Sequence, residues 1–69
     1  MATINEKLGK RIYTLRKKVG LTQDELAYQA KLDYSYMNEI EKGKRNPSVK
    51  RVYLIARALK VTLSELFDF

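Results

Sequence analysis

The 69-residue chain contains no cysteine, no histidine and no tryptophan, with only one proline and three glycines. The absence of cysteine excludes disulfides and thiolate metal sites and suits a reducing compartment. The absence of histidine removes the commonest metal ligand and general base, so we expect no metal, no cofactor and no enzymatic activity. No apolar run approaches the roughly 18 residues of a membrane helix, and the start lacks a signal peptide's apolar block. We therefore expect a soluble, cytoplasmic protein.

The charge balance is strongly basic, with 14 lysines and arginines against 8 acidic residues and a formal net charge of +6. Such a charge favours a polyanionic partner, either nucleic acid or an anionic membrane surface. The apolar stripes of the chain are short and mutually complementary, as in a globular core, which argues against the membrane surface. Neither a linker nor a repeat is visible, so residues 1–69 are expected to form one domain.

Helix starts divide the chain clearly, because a Thr-x-x-Glu pattern occurs three times. In such a capping box the hydroxyl and the glutamate each accept a backbone N–H that the helix leaves unpaired. The three boxes begin at Thr3, Thr22 and Thr62. Simpler caps at Asp33 and Ser48 precede two further helices, and Gly43 suits a left-handed stop. We predict an all-α fold with five helices, at about 4–18, 23–30, 34–42, 49–59 and 63–68.

Apolar residues at helical spacing predict the buried face of each helix. The first helix is expected to bury Ile4, Leu8, Ile12 and Leu15. The fourth is expected to bury Val49, Val52, Ile55, Ala56 and Leu59. Leu54 falls outside that stripe, where it could contact a partner or stay a single exposed leucine.

The second and third predicted helices are separated by only three residues, 31–33. This spacing is typical of a helix-turn-helix, in which the second helix enters the major groove of DNA while the first braces it against the backbone. The small side chain of Ala27 would let the two helices cross closely. The sequence therefore predicts a helix-turn-helix over about residues 23–42, with 34–42 as the recognition helix.

The residues of helix 34–42 separate by direction, since each advances the helix by about 100°. Met37 and Ile40 define the inward direction. The outward arc contains Ser35, Asn38, Glu39 and Lys42, with Tyr36 and Glu41 on its flanks and Tyr34 projecting forward from the helix start. Ser35 and Asn38 could contact base edges or phosphates, or remain solvated.

The carboxylates near this helix receive different predicted roles. Asp33 is interpreted as the N-cap, where its charge also favours the helix dipole. Glu39 is the acid left exposed toward DNA, where it could accept a hydrogen bond from cytosine N4 while repelling phosphates. The alternative for Glu39 is a solvated residue just clear of the bases.

The aromatic and basic residues complete the predicted interface. Tyr34 could contact a thymine methyl or a phosphate, whereas Tyr36 would pack its ring at the core edge and offer its hydroxyl to a phosphate. Lys42, Lys44 and Arg45 would supply sequence-independent attraction. Arg45 is also the best candidate for a bidentate contact with guanine.

The segments "LTQDELAYQAKLDYSYMNEIEKGKRNPS" and "LIARALKVTLSELF" resemble the lambda-repressor-like, Xre-type helix-turn-helix family. The resemblance covers about residues 8–67. Within the family, "TQDELAYQAKLDYSYMNEIEKGKRN" is most similar to the controller proteins of restriction-modification systems. Phage repressors, Cro-like proteins and some antitoxins share most of the pattern.

The resemblance implies roles for matching positions in this chain. Gln23 matches a residue that clamps a phosphate and supports a base contact, and Arg16 and Glu41 match a family ion pair. The positions that match DNA-contacting ones are Tyr34, Ser35 and Glu39 at base edges, and Arg45 and Asn46 in the loop after the helix. Lys31 departs from the family, whose turn often has glycine in the left-handed conformation there, so either the turn differs or the strain is tolerated.

The resemblance also implies a homodimer on a palindromic operator, because one helix reads only a few base pairs. The candidate interface is the fifth helix and its tail, with Leu54, Leu63, Phe67 and Phe69, although the two phenylalanines could equally close the monomer core. RNA polymerase is a further partner if the family's mode of activation applies. The alternative functions are a phage-type Cro or repressor protein and an antitoxin whose primary partner is another protein.

Overall fold

The computed structural model describes residues 1–69 and contains five helices and no strand. The helices are α1 (Ile4–Val19), α2 (Gln23–Gln29), α3 (Tyr34–Glu41), α4 (Val49–Ala58) and α5 (Leu63–Leu66). The predicted all-α fold is confirmed, and all five helices begin where the sequence places them. The largest difference is at α5, which ends at Leu66 and not at residue 68. No helix is both long and apolar enough to cross a bilayer.

The three predicted capping boxes are complete. In each, the threonine Oγ1 accepts the backbone N–H of the glutamate at 3.1 Å, and the glutamate carboxylate accepts the threonine N–H at 2.8 or 2.9 Å. The boxes lie at Thr3, Thr22 and Thr62. Ser48 caps α4 by accepting the N–H of Arg51 at 3.3 Å. Local sequence chemistry therefore sets four of the five helix starts.

Asp33 corrects one expectation about the helix starts. It occupies the N-cap position of α3 with extended backbone, but its side chain accepts no backbone N–H. Its carboxylate instead accepts the hydroxyl of Ser35 at 3.2 Å. The Asp33 carboxylate, which was expected to accept a backbone N–H of α3, is thus hydrogen-bonded to the side chain of Ser35.

Three of the four connections between helices follow one repeated scheme, and the loop from α3 to α4 is longer. A residue with positive φ ends the helix, an aliphatic residue follows, and the next residue is the N-cap of the next helix. These connections are Gly20-Leu21-Thr22, Lys31-Leu32-Asp33 and Lys60-Val61-Thr62. In each, the aliphatic N–H donates to a carbonyl five residues back, at 2.9–3.1 Å, which closes a Schellman turn. Lys31 has φ 59°, so the left-handed turn of the helix-turn-helix is present here without glycine.

Thirteen apolar residues form a single core. They are Leu8, Ile12, Leu15, Leu26, Ala27, Ala30, Met37, Ile40, Val52, Ile55, Ala56, Leu59 and Leu66. Two residues predicted to be buried are not, because Ile4 is 67% exposed and Val49 is 78% exposed. Ile4 and Val49 are the first residues of α1 and α4, and each precedes the first buried residue of its stripe. Both line an open groove with Leu63 and Phe67. We call these four residues and their surroundings the Phe67 groove.

Two contacts of α1 position α3 and α5. Gly9 lies where α1 meets the end of α3, so close that a Cβ there would be 2.6 Å from the carbonyl oxygen of Glu41. Arg11 holds α5, since its Nε and Nη2 donate to the carbonyl of Glu65 at 3.1 and 2.8 Å. Because only glycine permits the first contact, the docking of α3 on α1 depends on this residue.

Candidate nucleic-acid interface

The third helix presents the face that its sequence predicts. Met37 and Ile40 are fully buried against α1 and α2, which turns the opposite side of α3 outward. On that side Ser35 and Lys42 are exposed, whereas Asn38 and Glu39 are half-buried. Tyr34, at the start of the helix, is half exposed. The outward surface is thus polar, mixed in charge and carried by a short, well-anchored helix.

A buried ion pair fixes the end of α3 to α1. Arg16 Nε donates to Glu41 Oε2 at 2.8 Å and Arg16 Nη2 donates to Glu41 Oε1 at 3.1 Å. The two side chains are only 10% and 5% exposed. A third donor, Arg16 Nη1, binds the carbonyl of Leu21 at 3.0 Å. The pair that the family resemblance assigns to these positions is therefore present, in the bidentate geometry that favours arginine over lysine.

Gln23 connects this buried ion pair to the outer face of α3. Its Nε2 donates to Glu41 Oε1 at 3.1 Å, and its Oε1 accepts a hydrogen bond from Asn38 Nδ2 at 2.9 Å. The chain of contacts runs from Arg16 through Glu41 and Gln23 to Asn38, and we call it the Arg16 network. It orients the Asn38 amide before any ligand arrives. The predicted phosphate contact of Gln23 remains a prediction, and the structure adds an internal role for the same amide.

Glu39 is not the free carboxylate that the sequence suggests. Its Oε1 accepts a hydrogen bond from Arg45 Nε at 2.8 Å, and both side chains are substantially exposed. The hydrogen bond and the charge of Arg45 lower the pKa of Glu39, with smaller effects from Lys44 and Lys42, and the same pair raises the pKa of Arg45. Gly43, with φ 75°, reverses the chain after α3 and returns Arg45 to its side.

Two arginines lie against Tyr36, and the sequence predicted only one of them, Arg45, as part of the interface. The Tyr36 ring is half-buried against the core, as predicted. The guanidinium carbons of Arg45 and Arg51 each lie 5.1 Å from the ring centroid. Arg51 also donates from Nη1 to the Tyr36 hydroxyl at 3.4 Å. Arg51 belongs to α4, outside the helix-turn-helix, and its position on a basic helix start was the only signal for it.

The remaining candidates lie around this face. Lys10 and Tyr13 of α1, also missed, line a shallow cleft with Gln23, Asn38 and Lys42. Lys44 is exposed next to the end of α3. Asn46 is exposed as well, and it also lines the Phe67 groove.

The four candidate interface residues are not one surface. Leu63 and Phe67 share the Phe67 groove, and the ring of Phe69 lies 6.0 Å from that of Phe67. Leu54 lines a separate recess with Gln29 and Arg57. Phe67 is 44% exposed and Phe69 is 51% exposed, so the alternative in which they close the monomer core is wrong. The end of α5 instead leaves two aromatic rings at the surface.

Comparison with known proteins now decides the family. A family model described as helix-turn-helix matches residues 12–66 of the chain. The chain belongs to the helix-turn-helix family. This match and the relatives below confirm the lambda-repressor-like, Xre-type resemblance, and the helix-turn-helix protein is a DNA-binding transcriptional regulator.

Several relatives of the helix-turn-helix protein are restriction-modification controllers. It is 43% identical over 69 residues to the control protein C.MunI of Mycoplasma sp, covering 99% of this chain and 93% of that protein. It resembles the crystal structure of the controller C.AhdI from Aeromonas hydrophila, with a TM-score of 0.88 and 39% identity over 90% of this chain and 94% of that one. The C.Esp1396I tetramer in complex with its natural 35 base-pair operator matches with a TM-score of 0.82 and 34% identity, over 90% and 82% of the two chains.

Proposed function

We propose that the protein is the controller of a restriction-modification operon, a cytoplasmic homodimer that binds a palindromic operator through α3. The observation that carries the proposal is the Arg16 network, which holds Asn38 and the outward face of α3 in one orientation. A preorganised face costs less to dock than a mobile one. The similarity to C.MunI, C.AhdI and C.Esp1396I supports the choice of controller within the family.

The residues on this face divide into two kinds of contact. Tyr34, Ser35, Asn38 and Glu39 would meet base edges, and with Arg45 they would set the sequence preference. Lys42, Lys44, Asn46, Gln23 and the hydroxyl of Tyr36 would contact phosphates and sugars, which fix the position of the protein on the duplex. Catalysis plays no part in this function.

Homodimerisation would double the number of base pairs that the protein reads. The Phe67 groove is the surface that we assign to it, because Ile4, Val49 and Phe67 expose apolar area together and Phe69 extends it. Leu63 forms the floor of this surface, whereas Leu54 lies outside it and is not required. Phe67→Asp is expected to yield monomers in sedimentation equilibrium, and Leu54→Asp to leave the dimer intact. Dimers of Phe67→Asp would contradict this surface.

Selection of binding sites from random duplexes tests the main proposal. The wild-type protein should recover a palindrome with half-sites about one helical turn apart and a specific-over-nonspecific ratio of roughly 10³ or more. Asn38→Ala should degrade the preference at one or two positions of each half-site. Recovery of unrelated sequences, with no palindrome, would contradict the proposal.

A phage-type repressor is the second candidate, since the chain is 39% identical over 59 residues to the immunity repressor protein of Bacillus phage phi105. Transcription in vitro from the selected operator separates the two. A controller that contacts RNA polymerase should stimulate transcription from a promoter next to the operator. Repression at every operator position would favour the repressor.

A further inference from the structure

A small recess opens beside the start of the recognition helix. It is lined by Lys31, Leu32, Asp33, Tyr36, Arg45 and Arg51. These residues come from the turn before α3, from α3 itself, from the loop after it and from α4. We call it the Arg51 recess. Because four chain segments meet here, its shape is set by the helix-turn-helix together with α4.

The charges in the Arg51 recess are unbalanced. Three cations line it against one carboxylate, that of Asp33, which accepts the Ser35 hydroxyl. Arg45 has Glu39 as its partner at 2.8 Å. Neither Arg51 nor Lys31 forms an ion pair with any carboxylate of the chain. The recess thus holds two positive charges without an ion-pair partner, against the single negative charge of Asp33.

The Tyr36 ring places these charges where an anion can reach them. Arg51 and Arg45 both stack at 5.1 Å from the ring centroid, which brings two like charges to one aromatic side chain. Stacking leaves the edge of a guanidinium free to donate. The only side-chain bond of Arg51 is the 3.4 Å contact of Nη1 with the Tyr36 hydroxyl, which is longer than a usual N–H···O hydrogen bond. Most of its donors therefore remain available.

We propose that Arg51, with Lys31 and the Tyr36 hydroxyl, binds a backbone phosphate of the DNA beside the half-site that α3 reads. The proposal rests on the proposed function, because it takes duplex DNA as the partner. The recess adjoins the helix start that would enter the major groove, and phosphates border that groove on both sides. A planar guanidinium matches the two oxygens of a phosphate. This contact fixes register and carries no base preference.

Arg57 provides a matched control for Arg51. It lies on the same helix and stacks on a tyrosine too, with its guanidinium carbon 5.9 Å from the Tyr53 ring centroid. Its recess contains Leu54 and no residue of α3, and Lys31 is the one residue that it shares with the Arg51 recess. Arg51→Ala and Arg57→Ala therefore remove the same charge and the same kind of stacking at two different places.

The test measures DNA affinity against salt concentration for the wild type, Arg51→Ala and Arg57→Ala. The DNA is the selected operator in one arm and an arbitrary duplex of equal length in the other. Arg51→Ala should lower the slope of log K against log salt by about 0.9 per bound chain, which corresponds to roughly eightfold weaker binding per chain at 0.1 M salt. The loss should be similar on both duplexes. Arg57→Ala should leave the slope at the wild-type value, and Arg51→Lys should retain most of it.

Two results would overturn the proposal. Equal slope changes in Arg51→Ala and Arg57→Ala would mean that only overall charge matters, and an altered base preference without a slope change would make Arg51 a base reader. Thermal unfolding and sedimentation of each variant test whether folding and dimerisation are intact. If the wild type shows no operator preference, the proposed function fails, while the slope on the arbitrary duplex still decides the phosphate site.

Discussion

Asn38 of α3 donates a hydrogen bond to Gln23 of α2, with 2.9 Å between Nδ2 and Oε1. The bond joins the two halves of the helix-turn-helix on the side that faces outward. It lies one contact away from the buried pair of Arg16 and Glu41, because the same glutamine donates to Glu41. If α3 reads bases as proposed, that reading is coupled to the packing of α1.

Gln23→Ala should separate specificity from stability. The variant loses both bonds of the glutamine, which together should cost about 1–2 kcal/mol of unfolding free energy. Asn38 becomes free to rotate, so operator affinity should fall by about tenfold or more, while affinity for arbitrary DNA changes less. Anisotropy titrations with the two duplexes measure the difference. Equal losses on both would show that Gln23 contacts phosphate only.

Glu41→Gln should destabilise the folded protein more than Gln23→Ala does. It leaves the Arg16 guanidinium buried without a counter-charge, which costs about 3 kcal/mol or more in comparable sites. Urea unfolding monitored by circular dichroism gives the change. Asp68→Asn, at an exposed carboxylate, is the control and should shift stability by less than about 0.5 kcal/mol. The double variant Arg16→Met with Glu41→Leu should recover part of the loss, and a lower stability than Glu41→Gln would contradict this account.

The pair of Glu39 and Arg45 should be visible in a pH titration. Since the pKa of Glu39 is lower in the folded protein than in the unfolded chain, the contribution of the pair is complete above the unfolded pKa. It is lost as pH falls through the folded pKa. Carboxyl NMR titration of Arg45→Ala should therefore give a higher pKa for Glu39 than the wild type. Glu65 is the internal control, because the N–H and hydroxyl of Thr62 are the main causes of its lowered pKa, and its titration should not move.

Glu39→Gln should lower selectivity while raising affinity. The substitution removes a carboxylate that repels phosphates and releases the charge of Arg45. Binding to arbitrary duplexes should tighten by about fivefold to tenfold, and the ratio of operator to arbitrary affinity should fall. Both constants come from titrations at one salt concentration. Unchanged nonspecific binding would show that Glu39 stays clear of the DNA.

Gly9→Ala should disturb the contact between α1 and α3. The added methyl group would overlap the backbone of Ile40 and Glu41, so we expect a loss of about 2 kcal/mol or more and weaker DNA binding. Gly20→Ala is the comparison, because that glycine has φ 80° but open space around it. It should cost about 1 kcal/mol through backbone strain alone and leave DNA affinity unchanged. A harmless Gly9→Ala would mean that α3 can move away from α1 without consequence.

Short-range chemistry in the sequence predicts most of this fold. The threonine boxes at Thr3, Thr22 and Thr62 are confirmed because each depends on residues three positions apart, whose geometry the helix itself imposes. Met37 and Ile40 point inward for the same reason, since helical rotation relates them. Burial at helix ends was less predictable. Ile4 and Val49 fit their stripes, but no neighbouring helix covers them.

Contacts between segments account for what the sequence did not reveal. The pair of Glu39 and Arg45 depends on the chain reversal at Gly43, and the approach of Arg51 to Tyr36 depends on where the packing of α4 against α2 places the first turn of α4. Neither follows from the periodicity of one helix. The hydrogen bond between Gln23 and Asn38 was not predicted. The family resemblance implied only that Gln23 supports a base contact.

The three Schellman connections have a thermodynamic consequence for DNA binding. Each consists of one left-handed residue, one aliphatic residue and one cap, so the helices are linked without slack. No backbone segment between α1 and α3 has to become ordered when DNA arrives, and the entropy cost falls on side chains such as Tyr34 and on the duplex itself. The heat-capacity change of binding should accordingly match the contact area alone, with no contribution from coupled folding.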